Sequence, residues 1–166
     1  MLKFLCDGML GRIARWLRLL GCDTSYSSLD DDKKLIEIAK KEKRILLTKD
    51  LELYKSALKN RIQAFLVKGD SFEIMLAQII SHFNITPEII PELSRCPECN
   101  GEMQHVSASD IKKLNFNLPE TTLKVYKDFW ICKVCHKTYW KGRMWNNMTK
   151  TLEKVKEKMK NNLDVS

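Results

Sequence analysis

No apolar run in this 166-residue chain approaches the roughly 20 residues a bilayer-spanning helix requires. Lys3 is followed by neither a long apolar stretch nor a small-residue cleavage site, so no secretory signal is expected and the default location is the cytoplasm. There is no internal repeat, and no low-complexity tract apart from a lysine-rich end. Neither a P-loop, nor a G-x-G-x-x-G fingerprint, nor a Ser–His–Asp order is present, which removes support for mononucleotide switches, dinucleotide cofactors and serine hydrolases. Histidine is scarce, at 3 residues. A hydrophobic share of 44% with 30% charged residues is that of a globular protein, one ordinary domain plus a small appendage.

The charge is uneven. Residues 1–94 carry 15 Lys/Arg against 13 Asp/Glu, whereas residues 95–166 carry 14 against 8, so most of the net charge of +8 lies in the C-terminal part. That asymmetry suits a nucleic-acid or other polyanionic partner, and equally a solvated Lys-rich helix.

The organising stretch is the first 21 residues. Leu2 to Cys6 reads as a short buried strand, Asp7 stands at its end, and Gly8 permits a turn. Leu10, Ile13, Leu17 and Leu20 then recur at helical spacing before Gly21, which sits where a left-handed cap belongs. Further strands are expected at residues 23–27, Arg44 to Thr48 and Ile62 to Val67. Helices are expected after the acidic turn Asp30 to Asp32, over Leu51 to Leu58, and from a capping box of Asp70 with Glu73 through Phe83. Strand and helix alternate with short connections, which predicts an α/β fold with a parallel sheet. Right-handed crossovers would put every strand's C-terminal end on one edge, with Asp7, Asp50, Asp70 and the Asp30 to Asp32 turn along it. Pro87 and Pro91 break the alternation. The expected division is an α/β domain over 1–90, a cysteine module over 91–146, and an amphipathic basic helix and tail over 147–166, with Met148, Leu152, Val155 and Met159 on one helical face.

Of six cysteines, Cys6 and Cys22 read as small buried residues. Cys96, Cys99, Cys132 and Cys135 form two C-x-x-C pairs 32 residues apart, the pattern of a structural zinc ribbon with four thiolate ligands. A disulfide or redox pair is the alternative, and is disfavoured in a cytoplasmic chain. His105 and His136 are read as non-ligands, and His82 as a structural residue within an apolar helix.

Carboxylates gathered on one edge repel unless a cation neutralises them, and oxygen donors suit Mg²⁺ or Mn²⁺. Asp7, Asp50 and either Asp32 or Asp31 are the candidate ligands for a phosphodiester-cleaving site. Each has a plainer reading as a turn or capping residue. Arg12 and Arg15 are placed to hold a phosphate near Asp7, or else lie on a solvated face, which is the reading preferred for Arg18. Trp16 is expected in packing.

The segments FLCDGMLGRIARWLRLLG (4–21), DKKLIEIA (32–39), RILLTKD (44–50), RCPECNG (95–101), FWICKVC (129–135) and YWKG (139–142) together resemble the PIN-like ribonuclease family named for the C-terminal domain of the Mut-seven exonucleases. The resemblance reaches to about Met148. It implies a PIN-like α/β/α three-layer sandwich joined to a zinc ribbon, with divalent-metal-dependent ribonuclease activity. It assigns catalytic, metal-holding roles to Asp7, Asp32 and Asp50; PIN-type sites commonly use a fourth acid, which the resemblance does not place and for which Asp31 is the candidate. Lys49 stands where the family has Arg, and Met144 where many members have His. The expectation is therefore an endoribonuclease using catalytic Mg or Mn and structural Zn, acting on RNA guided by Arg12, Arg15, the ribbon and the last helix. The competing expectation is a non-catalytic adaptor that binds RNA or a protein partner through the ribbon or C-terminal helix. A phosphoryl-accepting aspartate is a third, with no accompanying motif.

Overall fold

The computed structural model describes residues 2–28, 31–113 and 118–163. Its first half is a four-stranded parallel sheet in the order β2-β1-β3-β4, built from β1 (Lys3–Cys6), β2 (Asp23–Tyr26), β3 (Ile45–Thr48) and β4 (Ala64–Leu66). The connecting helices are α1 (Gly11–Leu19), α2 (Asp32–Glu42) and α3 (Leu51–Lys59), and α4 (Phe72–His82) follows β4. A single 3₁₀ turn over Gly8–Leu10 leads into α1.

Residue alternation along the strands divides the core into two layers, as the pleat requires. Phe4, Cys6, Ile45 and Leu47 face a cluster with Ile13 and Leu17 of α1 and Leu76, Ile79 and Ile80 of α4. Leu5 and Leu46 face the opposite cluster, with Leu35, Ile36 and Ala39 of α2 and Leu53 and Ala57 of α3. Both faces are covered, which is why these strands read as continuous apolar runs. The expected three-layer α/β/α sandwich is what the chain forms.

The opening unit closes as its sequence indicates. Gly21 has φ 86°, and a Cβ there would stand 3.0 Å from the Leu93 carbonyl oxygen. The Gly21 and Cys22 amides donate to Arg18 and Leu17 carbonyls at 3.0 and 2.9 Å, so the end of α1 is satisfied by a left-handed cap. The cap of α4 differs from expectation. Ser71, not Asp70, accepts from the Ile74 amide at 3.3 Å, so the Asp70–Glu73 capping box does not form. Ser71 takes the role because its hydroxyl lies one residue nearer the helix.

The second half is a three-stranded antiparallel sheet, β5 (Met103–Ser107), β6 (Asp128–Cys132) and β7 (Thr138–Tyr139), in the order β5-β6-β7. The long spacer between the cysteine pairs holds two short helices, α5 (Ala108–Lys113) and α6 (Glu120–Val125). The last helix, α7 (Arg143–Leu163), begins four residues before the expected Asn147. Its predicted apolar face is used: Leu152 and Val155 are buried in the core shared by α1 and α4, with Trp145, Met148 and Met159 packed against it. Among the described residues no helix is long and apolar enough to cross a membrane.

Candidate functional site

The chain leaves β1 through α1 on one face of the sheet and returns over β1 through α2 on the other. The winding direction therefore reverses between β1 and β3, and open α/β sheets place their crevice outside the strand ends at such a point. Asp7 follows β1 there and Asp50 follows β3.

Asp7 is only 5% exposed. Its Oδ1 accepts from the Met9 amide at 3.0 Å, and its backbone N–H donates to the Leu47 carbonyl at 3.2 Å. Its Oδ2 accepts from the hydroxyl of Thr48, which is fully buried. The same Thr48 oxygen accepts the Asp50 backbone N–H at 2.9 Å. One hydroxyl thus connects the two strand-end acids. Asp50 is exposed and caps α3, its Oδ1 accepting from the Glu52 and Leu53 amides at 2.7 and 3.0 Å.

The acidic turn divides its roles. Asp31 caps α2, its Oδ1 accepting from the Lys34 amide at 2.9 Å. Asp32 is the exposed first residue of that helix and is not its cap. Asp30 lies outside the described residues. Among the described residues, Asp7, Asp32 and Asp50 are not gathered into a group tight enough to share one ion without movement.

The three arginines of α1 go three ways. Arg12 is exposed, with its guanidinium 3.8 Å over the Phe72 ring at the start of α4. Arg15 is largely exposed and pairs with Glu98 at 3.5 Å. Arg18 corrects the solvated-face reading: it is 7% exposed, and its guanidinium donates to the carbonyls of Thr24 at 2.8 Å, Pro97 at 2.8 Å and Glu98 at 3.1 Å. Burial lowers its proton affinity, and the neighbouring Cys6, Cys96 and Cys99 sulfurs and Glu98 oppose that. Trp16 packs on Phe72, and His82 lies among Phe65 and Phe83, as the sequence indicates.

Cys96, Cys99, Cys132 and Cys135 bring their sulfurs within 4.8 Å of one another. Cys96 and Cys135 are 3.6 Å apart and Cys99 and Cys132 3.4 Å. Disulfide sulfurs stand about 2.05 Å apart, whereas a tetrahedron with Zn–S bonds of about 2.3 Å has edges near 3.75 Å. The donor set and its spacing fit zinc. The two loops are near copies. Cys96 N–H donates to Gly101 and Asn100 N–H returns to Cys96, both at 2.8 Å; Cys132 N–H donates to Lys137 at 2.9 Å and His136 N–H returns to Cys132 at 3.0 Å. Asn100 and His136 take positive φ of 66° and 59°, which explains each residue after the second cysteine without a ligand role. A Cβ at Gly101 would fall 2.7 Å from the Cys132 sulfur, so that position admits glycine alone. Burial pushes the Cys132 thiol up, but the Cys135 and Val134 amides outweigh it and bring it down to about 7. The Tyr139 hydroxyl lies 3.2 Å from the Cys96 sulfur. His105 is occupied with Asp128 at 2.8 Å.

The first cysteine loop is fastened to the edge of the parallel sheet. Asn100 accepts the Thr24 amide of β2 at 3.0 Å and donates to Asp23 at 2.8 Å, and Asp23 also accepts from Arg44 at 2.8 Å. Thr48, Arg18 and Asn100 were not distinguishable as site residues by composition. Thr48 lies in the quoted RILLTKD segment, the one signal that could have marked it.

The family model of the Mut7-C RNAse domain matches residues 2–152. The human protein described as an exonuclease mut-7 homolog is 28% identical over 116 residues, which cover 67% of this chain and 13% of that protein. No solved structure matches. The chain thus spans a small part of its curated relative's length, and it belongs to the Mut7-C RNAse domain family.

Proposed function

We propose that this protein is a divalent-metal-dependent endoribonuclease of the cytoplasm, with its reaction centre at the sheet edge where Asp7 and Asp50 emerge. The supporting observation is the buried carboxylate of Asp7 at the reversal point, tied through the Thr48 hydroxyl to the strand end that carries Asp50. Each Asp7 oxygen has one protein donor, the Met9 amide or the Thr48 hydroxyl, which leaves each a further lone pair for a cation. Asp7, Asp32 and Asp50 would hold Mg²⁺ or Mn²⁺ once the ion draws them together, since they do not converge without it, with Asp31 as a fourth acid. Asp50 and Asp31 cap their helices through Oδ1, so capping leaves a second oxygen on each for a cation. The ion would supply Lewis-acid polarisation of a phosphodiester and of the attacking water.

The chain's own residues do the rest. Thr48 orients Asp7, and Arg12 and Arg15, exposed on the helix that begins beside Asp7, would engage RNA phosphates. In this reading residues 1–90 cut, the zinc-bearing 91–146 module and the helix from 147 onward guide the strand, and the human relative's printed name agrees with nuclease chemistry. Asp7→Asn should abolish Mn²⁺-dependent cleavage of single-stranded RNA while circular dichroism and zinc content stay unchanged. Undiminished cleavage would sink the assignment.

A second reading draws on the same caps. If Asp31 and Asp50 serve only α2 and α3, the protein is an adaptor that binds RNA or a protein through the ribbon. RNA binding without cleavage under any divalent ion, indifferent to Asp7→Asn, would favour it.

A further inference from the structure

A cavity of about 750 Å³ lies between the cysteine module, the 89–97 connection and the start of α7. Its size is that of a ligand site, roughly 300–1,000 Å³. Five aromatic side chains line it: Tyr126, Trp130, Tyr139, Trp140 and Trp145. The charged residues on its wall are Arg95 and Arg143, and no carboxylate lines it. Lys141 extends the positive rim, its ammonium 5.6 Å from the Trp130 ring and 5.2 Å from the Trp145 ring. The Trp130 side chain is 5% exposed, and its indole N–H has no acceptor among the described residues. Buried donors rarely stay unpaired, because the cost is that of a lost hydrogen bond.

We infer that this cavity is a base-stacking subsite for single-stranded RNA, an inference that rests on RNA being the substrate of the sheet-edge site. Aromatic faces with cations at the rim are the chemistry of sequence-tolerant single-strand binding: rings take bases and cations take phosphates. A protein segment would find the same apolar walls, but nothing acidic to complement its own cations. The surrounding charge agrees, since residues 95–166 carry 14 Lys/Arg against 8 Asp/Glu.

The position also suits a strand that continues to the acids. Leu19, at the far end of α1 from Asp7, lines the cavity, and a helix of nine residues is about 14 Å long. Between the two ends, Glu98 is paired with both Arg15 at 3.5 Å and Lys137 at 3.6 Å. The neighbours of that pair, Pro97 and Thr138, are on the cavity wall. Arg12, Arg15 and Lys137, with Glu98 between the last two, mark a route of net positive charge from the reaction edge to the aromatic pocket. The pocket holds the strand away from the bond that is cut, and so contributes to binding and leaves the chemical step alone.

The test uses the full zinc-loaded chain and a single-stranded RNA dodecamer carrying 2-aminopurine, without Mg²⁺ or Mn²⁺. Stacking on the aromatic wall should quench the probe saturably. Trp145→Ala should weaken binding about tenfold, the scale of one lost base–aromatic stack. Arg143→Glu should weaken it too, and as an exposed residue it leaves the fold intact. With Mn²⁺ present, both variants should raise KM and leave kcat near that of the parent. Parent-like quenching and KM in both variants, alongside cleavage that Asp7→Asn abolishes, overturns the pocket and leaves the nuclease reading standing. Quenching lost in both variants with no cleavage by the parent upholds the pocket and overturns the nuclease reading. A self-associated form that buries Trp145 and excludes the RNA overturns the pocket as well.

Discussion

The Thr48 hydroxyl donates to Asp7 Oδ2 and accepts the Asp50 backbone N–H at 2.9 Å. The two strand-end acids are thereby held in one hydrogen-bonded chain through an atom buried from solvent. Thr48→Val preserves shape and β-propensity but leaves an Asp7 oxygen and the Asp50 N–H without a partner. Burying unsatisfied groups costs about 1–3 kcal/mol. Thr48→Val should therefore lose stability of that order in urea unfolding and lose most Mn²⁺-dependent cleavage, because Asp7 is no longer oriented. Thr48→Ser keeps the hydroxyl and should recover much of the activity. A valine variant with parental activity would show that Asp7 orientation is set elsewhere.

Arg18 joins two halves of the molecule. Its guanidinium donates to Thr24 of the parallel sheet and to Pro97 and Glu98 between the first two cysteines of the cluster. Arg18→Met fills similar volume and leaves those carbonyls unpaired. The expected loss is roughly 2–4 kcal/mol, with faster transfer of zinc to a chromophoric chelator, since the Cys96–Cys99 loop loses its support. Arg18→Lys should be nearly as damaging, because an ammonium lacks the fork that reaches three carbonyls. Zinc transfer at the parental rate would overturn the link.

How much of this was legible follows from what each interaction depends on. The strands at residues 4–6 and 45–47 declare themselves as short apolar runs bounded by turn residues, and Gly21 marks the end of α1. Which of those strand residues face which layer is not in the sequence, because all are apolar. The cysteine centre was legible because ligand spacing is local to each loop. Arg18 was not, because its periodic spacing with Arg12 and Arg15 is that of a solvated face, and it is the approach of Thr24 on β2 and of residues 97 and 98 that buries it. The Ser71 cap was missed because Asp70 and Glu73 satisfy the capping pattern one residue out of register. The 143–146 start of α7 was missed since Trp145 anchors it on the core, a tertiary contact rather than a propensity. The spacing of Asp7, Asp32 and Asp50 depends on loop conformation at the sheet edge, and no sequence period encodes it.

Acid stability gives a separate check on the fastening of the ribbon. Burial alone would raise the Asp23 carboxyl, but hydrogen bonds from Arg44 and Asn100 outweigh it and hold it below the ordinary 3.8. A carboxyl depressed in the folded state adds stability that is fully present above its unfolded value and is lost as pH falls through the folded one. Asp23→Asn should therefore be less stable than the parent by about 1–3 kcal/mol at pH 7. The difference should shrink below the ordinary 3.8. Protonation of the cysteines would also loosen a bound metal, and with it the Asn100 loop, over the acid range, so the comparison is repeated with Asn100→Ala in both chains, where the Arg44 bond to Asp23 at 2.8 Å remains. A gap that does not narrow in acid would show that Asp23 contributes through shape rather than charge.

Zinc removal should act on both halves unequally. The antiparallel sheet has a small core of its own, with Val106, Ile111, Phe129 and Ile131 buried, too little to hold such a module without metal. The parallel-sheet core is larger and gains Leu152 and Val155 from α7. Chelation, or Cys132→Ser, should red-shift the emission of Trp130 and Trp140 and open residues 96–140 to protease. The 1–90 segment should stay resistant, though less stable to heat, because Arg18 and Asn100 lose the loop that orders them. Cleavage of RNA should fall mainly through a higher KM, since Asp7, Thr48 and Asp50 lie in the part that persists. Loss of kcat with unchanged KM would mean that the metal centre supports the reaction edge itself rather than the grip on the strand.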